Sequence, residues 1–181
     1  QRGDATGSAL TGTDFSAGYH EGSDIGEYVA ERKNLRDHLN EQLSLTKAEP
    51  TIRLAAAEII DALDEDGYLR TKLHEIAVER GLGADDLEAG LKIVQGFEPI
   101  GIGAQSLGEC LSLQLVEKNH FDPAIATLIE NLDLLAKCDF DGLVALCKVS
   151  LDDVLDMGDE IKSLDPRPAR SFDTAPVQSP P

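Results

Sequence analysis

The sequence has very few aromatic residues. Tryptophan is absent, and phenylalanine and tyrosine together contribute 4% of the 181 residues. A hydrophobic core must therefore be built mainly from aliphatic side chains, and a hydrophobic content of 41% is sufficient for one. The length suits one medium domain or two small ones, so we expect one or two small aliphatic cores.

Cysteine is scarce as well. Cys110, Cys138 and Cys147 form an odd set without a CxxC pair. This pattern is typical of reduced thiols in a cytoplasmic protein, where they behave as small apolar residues. The four histidines show no metal-ligand spacing. We therefore expect no metal and no cofactor.

Positive charge and long apolar runs are also lacking. Sixteen basic residues stand against 34 acidic ones, for a net charge of −18. Such a surface repels phosphate backbones and anionic lipids, because both attract proteins through Lys and Arg. No apolar run is long enough to span a membrane. We therefore predict no direct contact with nucleic acid or membrane, whereas a basic patch on a partner protein remains attractive.

The two ends of the chain differ from its middle. Residues 1–26 are rich in glycine and carry scattered acids, which predicts a flexible acidic linker. The proline-rich end predicts a second linker over 169–181. Between them the apolar residues follow a helical period and no alternating strand is visible, so we predict an all-α fold. We divide it into a larger helical subdomain, 27–118, and a smaller one, 119–168. Because the chain begins with Gln, we expect a piece of a longer protein.

Local signals place the helices. Leucines four residues apart predict one buried face at Leu35, Leu39 and Leu43 and another at Leu107, Leu111 and Leu115. The letters "TKAE" from Thr46 predict a capping box that begins the second helix. Asp122 followed by proline predicts the start of one long helix, "DPAIATLIENLDLLAK". Ser150, with an acid three residues on, predicts another start.

Two segments echo each other at an offset of 67 residues. The one from Leu73 and the one from Phe140 each read as a short helix, a tight turn, a longer helix and an acid-proline stop. Each resembles a helix-turn-helix unit. The second helices carry too many Asp and Glu residues to face phosphates, so we predict that these units pack rather than read DNA. We expect the turns 81–84 and 148–151 to superpose with their flanking helices.

The stretch "FEPIGIGAQSL" is the most unusual in the chain. A dinucleotide-binding loop requires a preceding strand and a Walker loop requires Gly-Lys-Ser/Thr, and neither is present. A nucleophile turn at Ser106 would need a histidine and an acid after it, but only His120 follows. Ser106 is more simply a helix N-cap. We predict no catalytic set and interpret the stretch as a shaped junction that exposes Ile100 or Ile102.

Several motifs in series resemble one family. "LRDHLNEQL", "DEDGYL", "FEPIGIGAQSLGECL", "LDLLAKCDF" and "LDPRP" occur in the order and spacing of the core-binding region of the activator-dependent, nitrogen-regulation type of bacterial sigma factor (sigma-54 class). The resemblance covers about Leu35 to Pro168. It implies a monomeric, non-enzymatic module that docks on core RNA polymerase during transcription initiation. The family's activator-responsive segment and promoter-reading domain are not expected in this chain.

The resemblance also implies a set of motif residues, for which two roles stay open: contact with polymerase or shaping of the domain. The family differs from this chain in having an Arg-acid pair at Gln105-Ser106 and a glycine at Ala169. Two other functions remain as alternatives, a helical scaffold for a different basic protein and a serine hydrolase that uses Ser106. The residues carried over are Phe97, Pro99, Gly101, Gly103, Ala104, Leu107, Asp165, Pro166, Arg167 and Pro168.

Overall fold

The computed structural model describes residues 34–173, and the regular structure of this part is helical apart from one isolated antiparallel bridge between Leu63 and Leu69. The prediction of an all-α fold is confirmed. The predicted linker 1–26 and most of the predicted linker 169–181 lie outside the described residues. The helices are α1 (Leu35–Leu45), α2 (Pro50–Ala62), α3 (Leu73–Arg80), α4 (Ala84–Gln95), α5 (Leu107–Glu117), α6 (Pro123–Glu130), α7 (Leu132–Ala136), α8 (Phe140–Cys147), α9 (Leu151–Ser163) and α10 (Arg170–Asp173).

Helices α1 to α4 enclose the first hydrophobic cluster. Leu39 and Leu43 of α1 are buried in it, as their spacing predicts. Helices α2 and α4 pack closely because α4 carries Gly90, where an added Cβ would lie 2.8 Å from the backbone nitrogen of Ala56. Glycine at this position therefore brings the two helix backbones together.

The predicted capping box at "TKAE" is wrong. Thr46 follows the end of α1, where its hydroxyl donates to the Gln42 carbonyl at 2.9 Å. Helix α2 begins later, with Glu49 as N-cap and Pro50 in the first turn. Proline is favoured there because it has no N–H to leave unpaired and its φ suits a helix.

Helices α5 to α9 enclose a second cluster, to which α5 contributes Leu111 and Leu115. The prediction that Leu107 also points inward is wrong, since this side chain is 45% exposed. The predicted long helix from Asp122 is divided into α6 and α7 at Asn131, whose backbone leaves the helical region and whose side chain donates to the Thr127 carbonyl at 2.8 Å.

The two echoing segments have matching helix bounds. Helices α3 and α4 correspond to α8 and α9 at the predicted offset, and the turn within each pair begins with a residue in the left-handed conformation. This residue is Gly81 in the first unit (φ 65°) and Lys148 in the second (φ 57°). The superposition of the two turns stays a prediction.

One residue near the end of the described chain does not belong to the cluster of the helices that precede it. Ala169 follows the helices of the second cluster but is buried in the first. A third, small cluster of Tyr68, Ala104 and Cys110 is partly covered by Leu113 of α5. The division into subdomains after residue 118 stays a prediction.

Candidate interaction surface

Three of the motif segments converge between the clusters. They are the turn 64–69, the loop 97–104 and the segment after α9, which we call the strap (residues 165–170). The N–H of Gly103 donates to the Gly67 carbonyl at 2.9 Å, and that of Leu69 to the Ala104 carbonyl at 3.0 Å. The hydroxyl of Tyr68 donates to the Pro166 carbonyl at 2.6 Å. Segments that are distant in sequence thus form one hydrogen-bonded junction.

Glycine is required at two points of this junction. Gly101 has φ +105°, and a Cβ there would lie 2.8 Å from the Cys110 sulfur. Gly67 has φ +93°, and a Cβ there would lie 2.5 Å from the side chain of Ile102. Both positions combine a backbone that other residues rarely adopt with a close neighbour.

Two glutamine side chains hold the motif segments in place. Gln42 of α1 accepts the Glu98 N–H at 2.9 Å and donates to the Glu98 carbonyl at 2.7 Å. Gln114 of α5 pairs in the same way with Asp165, at 2.9 and 2.6 Å. Each amide satisfies both backbone groups of one residue. Sequence reasoning missed both glutamines, because nothing local to either residue reveals a partner about 50 residues away.

The ionisable groups of the junction are held in defined protonation states. Burial raises the pKa of the Tyr68 hydroxyl, and its hydrogen bond with Cys110 raises it further. Burial likewise raises the pKa of the Cys110 thiol. Burial alone would raise the pKa of Asp64, but bonds donated by the Tyr68 N–H, the Arg70 side chain and the Asp66 N–H outweigh it and hold that pKa below its usual range. At neutral pH Tyr68 therefore carries a neutral phenol, Cys110 a neutral thiol, and Asp64 an ionised carboxylate paired with Arg70.

The motif residues carried over from the resemblance fall into two groups. Most are inside the junction or partly covered: Phe97, Gly101, Gly103, Ala104 and Pro168 are buried, and Pro99, which follows a cis peptide bond, is half-buried. The others are exposed, namely Leu107, Asp165, Pro166 and Arg167. The sequence predicts that this loop exposes Ile100 or Ile102. Ile102 is not exposed, because its side chain fills the space beside Gly67. Ile100 is half-buried.

An apolar groove of about 340 Å³ lies between α5, α7 and α9. Leu107 of α5, Leu135 of α7 and Ile161 of α9 line it, together with Pro166 of the strap. Lys162 contributes a charge to its lining. Two of the exposed motif residues, Leu107 and Pro166, therefore line a concave apolar surface. Side chains of a partner protein can insert into a surface of this shape.

The two departures from the family pattern are accommodated without distortion. Gln105 donates its backbone N–H to the Glu109 carboxylate at 2.8 Å, and the Ser106 hydroxyl accepts the Glu109 N–H at 3.2 Å, which confirms Ser106 as the N-cap of α5. Ala169 is not among the residues with positive φ, and its N–H donates to the Asp66 carbonyl at 3.3 Å. The strap therefore turns without glycine.

The described residues do not bring Ser106 and His120 together. The hydroxyl of Ser106 caps α5, and His120 contacts the Glu160 carboxylate. Within residues 34–173 no cluster of three or more His, Cys, Asp or Glu side chains has the geometry to hold a metal. Over the same residues no helix is both long and apolar enough to cross a bilayer.

An exposed apolar groove beside a hydrogen-bonded junction gives this all-α module the kind of surface on which another protein can dock. The family described as "Sigma-54 factor, core binding domain" matches residues 24–180, and the chain belongs to this family. The resemblance that the motifs indicate is thus confirmed. This family is not an enzyme family.

Three curated relatives are similar to this chain over most of its length. An RNA polymerase sigma-54 factor of Rhizobium meliloti (strain 1021) is 44% identical over 158 residues, which is 87% of this chain and 31% of the relative. One of Sinorhizobium fredii is 43% identical over 88% of this chain and 31% of the relative. RNA polymerase sigma-54 factor 1 of Bradyrhizobium diazoefficiens is 39% identical over 96% of this chain and 36% of the relative. The chain thus spans about a third of the length of these curated relatives.

Proposed function

We propose that this chain binds core RNA polymerase and, as the core-binding part of a sigma-54 class factor, acts in transcription initiation. The family match over residues 24–180 is the observation that carries the proposal. The convergence of three motif segments beside an exposed apolar groove supports it, because a rigid surface loses little entropy on binding. We further propose that the chain acts in the cytoplasm as a monomer, without catalytic activity.

We also propose that this chain does not itself bind DNA. Its net charge of −18 opposes contact with phosphates. The second helices of the two repeated units begin with Asp85 and Asp86 in α4 and with Asp152 and Asp153 in α9. A helix entering the major groove would place these first-turn carboxylates near the phosphates.

A competition experiment tests the proposed function. Purified core RNA polymerase is incubated with a labelled, full-length sigma-54 factor from one of the relatives, and this chain is added at increasing concentration. We expect displacement of the labelled factor at micromolar concentration or below. As a control, this chain alone is titrated against labelled duplex DNA. We expect no binding of the chain to the DNA. Failure to displace the factor, with the chain shown to be helical by circular dichroism, contradicts the proposal.

A further inference from the structure

The outer face of α9 carries exposed leucines. Leu151 and Leu155 lie one turn apart and are 47% and 40% exposed. Lys162 lies two turns beyond Leu155 on the same stripe of the helix, and it also lines the groove between α5, α7 and α9. The leucine stripe and the groove therefore border the same stripe of α9.

The repeated unit supplies an internal comparison. The positions of α4 that correspond to Leu151 and Leu155 hold Ala84 and Glu88. The inward positions do not differ in this way, since Leu87 of α4 and Val154 of α9 are both buried and apolar. Because α3 and α4 form the same helices and the same left-handed turn without outer leucines, the fold of the unit does not require them. Leu151 and Leu155 are therefore not needed for α9 to fold.

Carboxylates border the leucine stripe. Asp152, Asp156 and Asp159 lie three or four residues apart on the neighbouring stripe of α9, and all three are exposed. The corresponding positions of α4 are Asp85, Ala89 and Lys92, so two of the three acids, Asp156 and Asp159, are specific to the second unit. An apolar stripe beside an acidic one is complementary to a helix that presents apolar residues flanked by Lys or Arg.

We propose that this α9 face, defined by Leu151, Leu155, Asp152, Asp156 and Asp159, binds a basic amphipathic helix of core RNA polymerase. The leucines contact its apolar side, the carboxylates pair with its cations, and the adjoining groove receives the end of its apolar stripe. This assignment rests on the proposed function, and it locates the contact on α9 rather than in the buried junction.

The first test transplants the surface of the first unit onto the second. The variant Leu151→Ala/Leu155→Glu introduces the residues that α4 already carries, so we expect it to fold. Its affinity for core polymerase should fall about tenfold or more, as expected for loss of a central apolar contact. The matched control is Leu45→Glu, which adds the same charge and removes a leucine that is 85% exposed on α1. Its affinity should stay within about twofold of the parent chain.

The second test uses charge and keeps the apolar stripe. The variant Asp152→Asn/Asp156→Asn/Asp159→Asn should bind more weakly at low salt, and its affinity should depend less on salt concentration, because exposed charges attract over a distance that salt shortens. The control Asp61→Asn/Glu79→Gln/Glu88→Gln changes three exposed acids outside α9 and outside the junction by the same total charge. It should keep more of the affinity and of its salt dependence than the α9 variant.

The outcomes separate this proposal from the proposed function. If the parent chain does not bind core polymerase, the proposed function fails. If the parent binds and the α9 variants bind as their controls do, the proposed function stands and the assignment of the α9 face is overturned. The assignment is supported when both α9 variants lose affinity, both controls retain it, and circular dichroism shows all four to be folded.

Discussion

At the scale of single residues, the motif junction depends on side chains that pair with backbone. Gln114 and Gln42 each bridge the N–H and carbonyl of one residue in a distant segment, and Tyr68 reaches the carbonyl of Pro166. A backbone group inside a junction of this kind has no strand or helix to bond with. The side chains take over that role, since an unpaired group would cost free energy.

Replacing Gln114 by alanine should loosen the strap. The change removes both hydrogen bonds to Asp165, and we expect the free energy of unfolding to fall by about 1–2 kcal/mol. Urea unfolding followed by circular dichroism measures this loss. The matched control is Gln105→Ala, because the Gln105 side chain is exposed and only its backbone N–H bonds within the junction. Equal stability of the two variants would contradict the role of Gln114.

At the scale of helices and turns, local chemistry accounts for most of the boundaries. Asp122 and Ser150 cap α6 and α9 through bonds from the third helical N–H, as predicted. The two repeated units end their first helices with the same left-handed residue, but one unit uses glycine and the other lysine. This difference allows the cost of the conformation to be measured within one protein.

Substitutions at the two left-handed positions should have opposite effects. Gly81→Ala should lower the free energy of unfolding by about 1 kcal/mol, because a Cβ makes this conformation unfavourable although the space around it is open. Lys148→Gly relieves the same cost, and it should raise the stability by up to about 1 kcal/mol despite the greater freedom of glycine in the unfolded chain. Thermal and urea unfolding of both variants check the signs. The same sign for both would show that the two turns are not equivalent.

At the scale of the whole molecule, the strap is the segment that links the helices of the two large hydrophobic clusters. It follows the helices of the second cluster, pairs with Gln114 and Tyr68, and buries Ala169 in the first cluster. Arg170 also contacts the Asp66 carboxylate, at 2.7 Å. The strap thus connects both clusters through contacts that lie far apart in sequence.

A chain that ends at Leu164 should therefore lose stability in both clusters. Removal of the strap breaks several hydrogen bonds and exposes the site of Ala169, so we expect a loss of roughly 3 kcal/mol or more. Hydrogen exchange should become faster in α2, which belongs to the first cluster, as well as in α5. The control Arg167→Ala changes an exposed side chain of the strap and should leave both helices protected. Faster exchange in α5 alone would mean that the strap does not support the first cluster.

The sequence by itself determined the helical class, most helix ends and the family. Caps such as Ser106 and Asp122, and stops such as Gly81, depend on hydrogen bonds and dihedral angles within a few residues, so they can be recognised locally. The division of α6 and α7 at Asn131 and the late start of α2 at Pro50 show where two local signals compete. The order and spacing of the motifs were sufficient to identify the family without a structure.

Only the tertiary structure decided which residues meet. It places Leu107 on the surface beside a groove, although its spacing predicts burial, because burial depends on which helices pack against α5. It pairs Gln114 with Asp165 and returns Ala169 to the first cluster across long stretches of chain. Such contacts leave no periodic pattern in a sequence, because each arises from the closing of a long loop and not from local backbone chemistry.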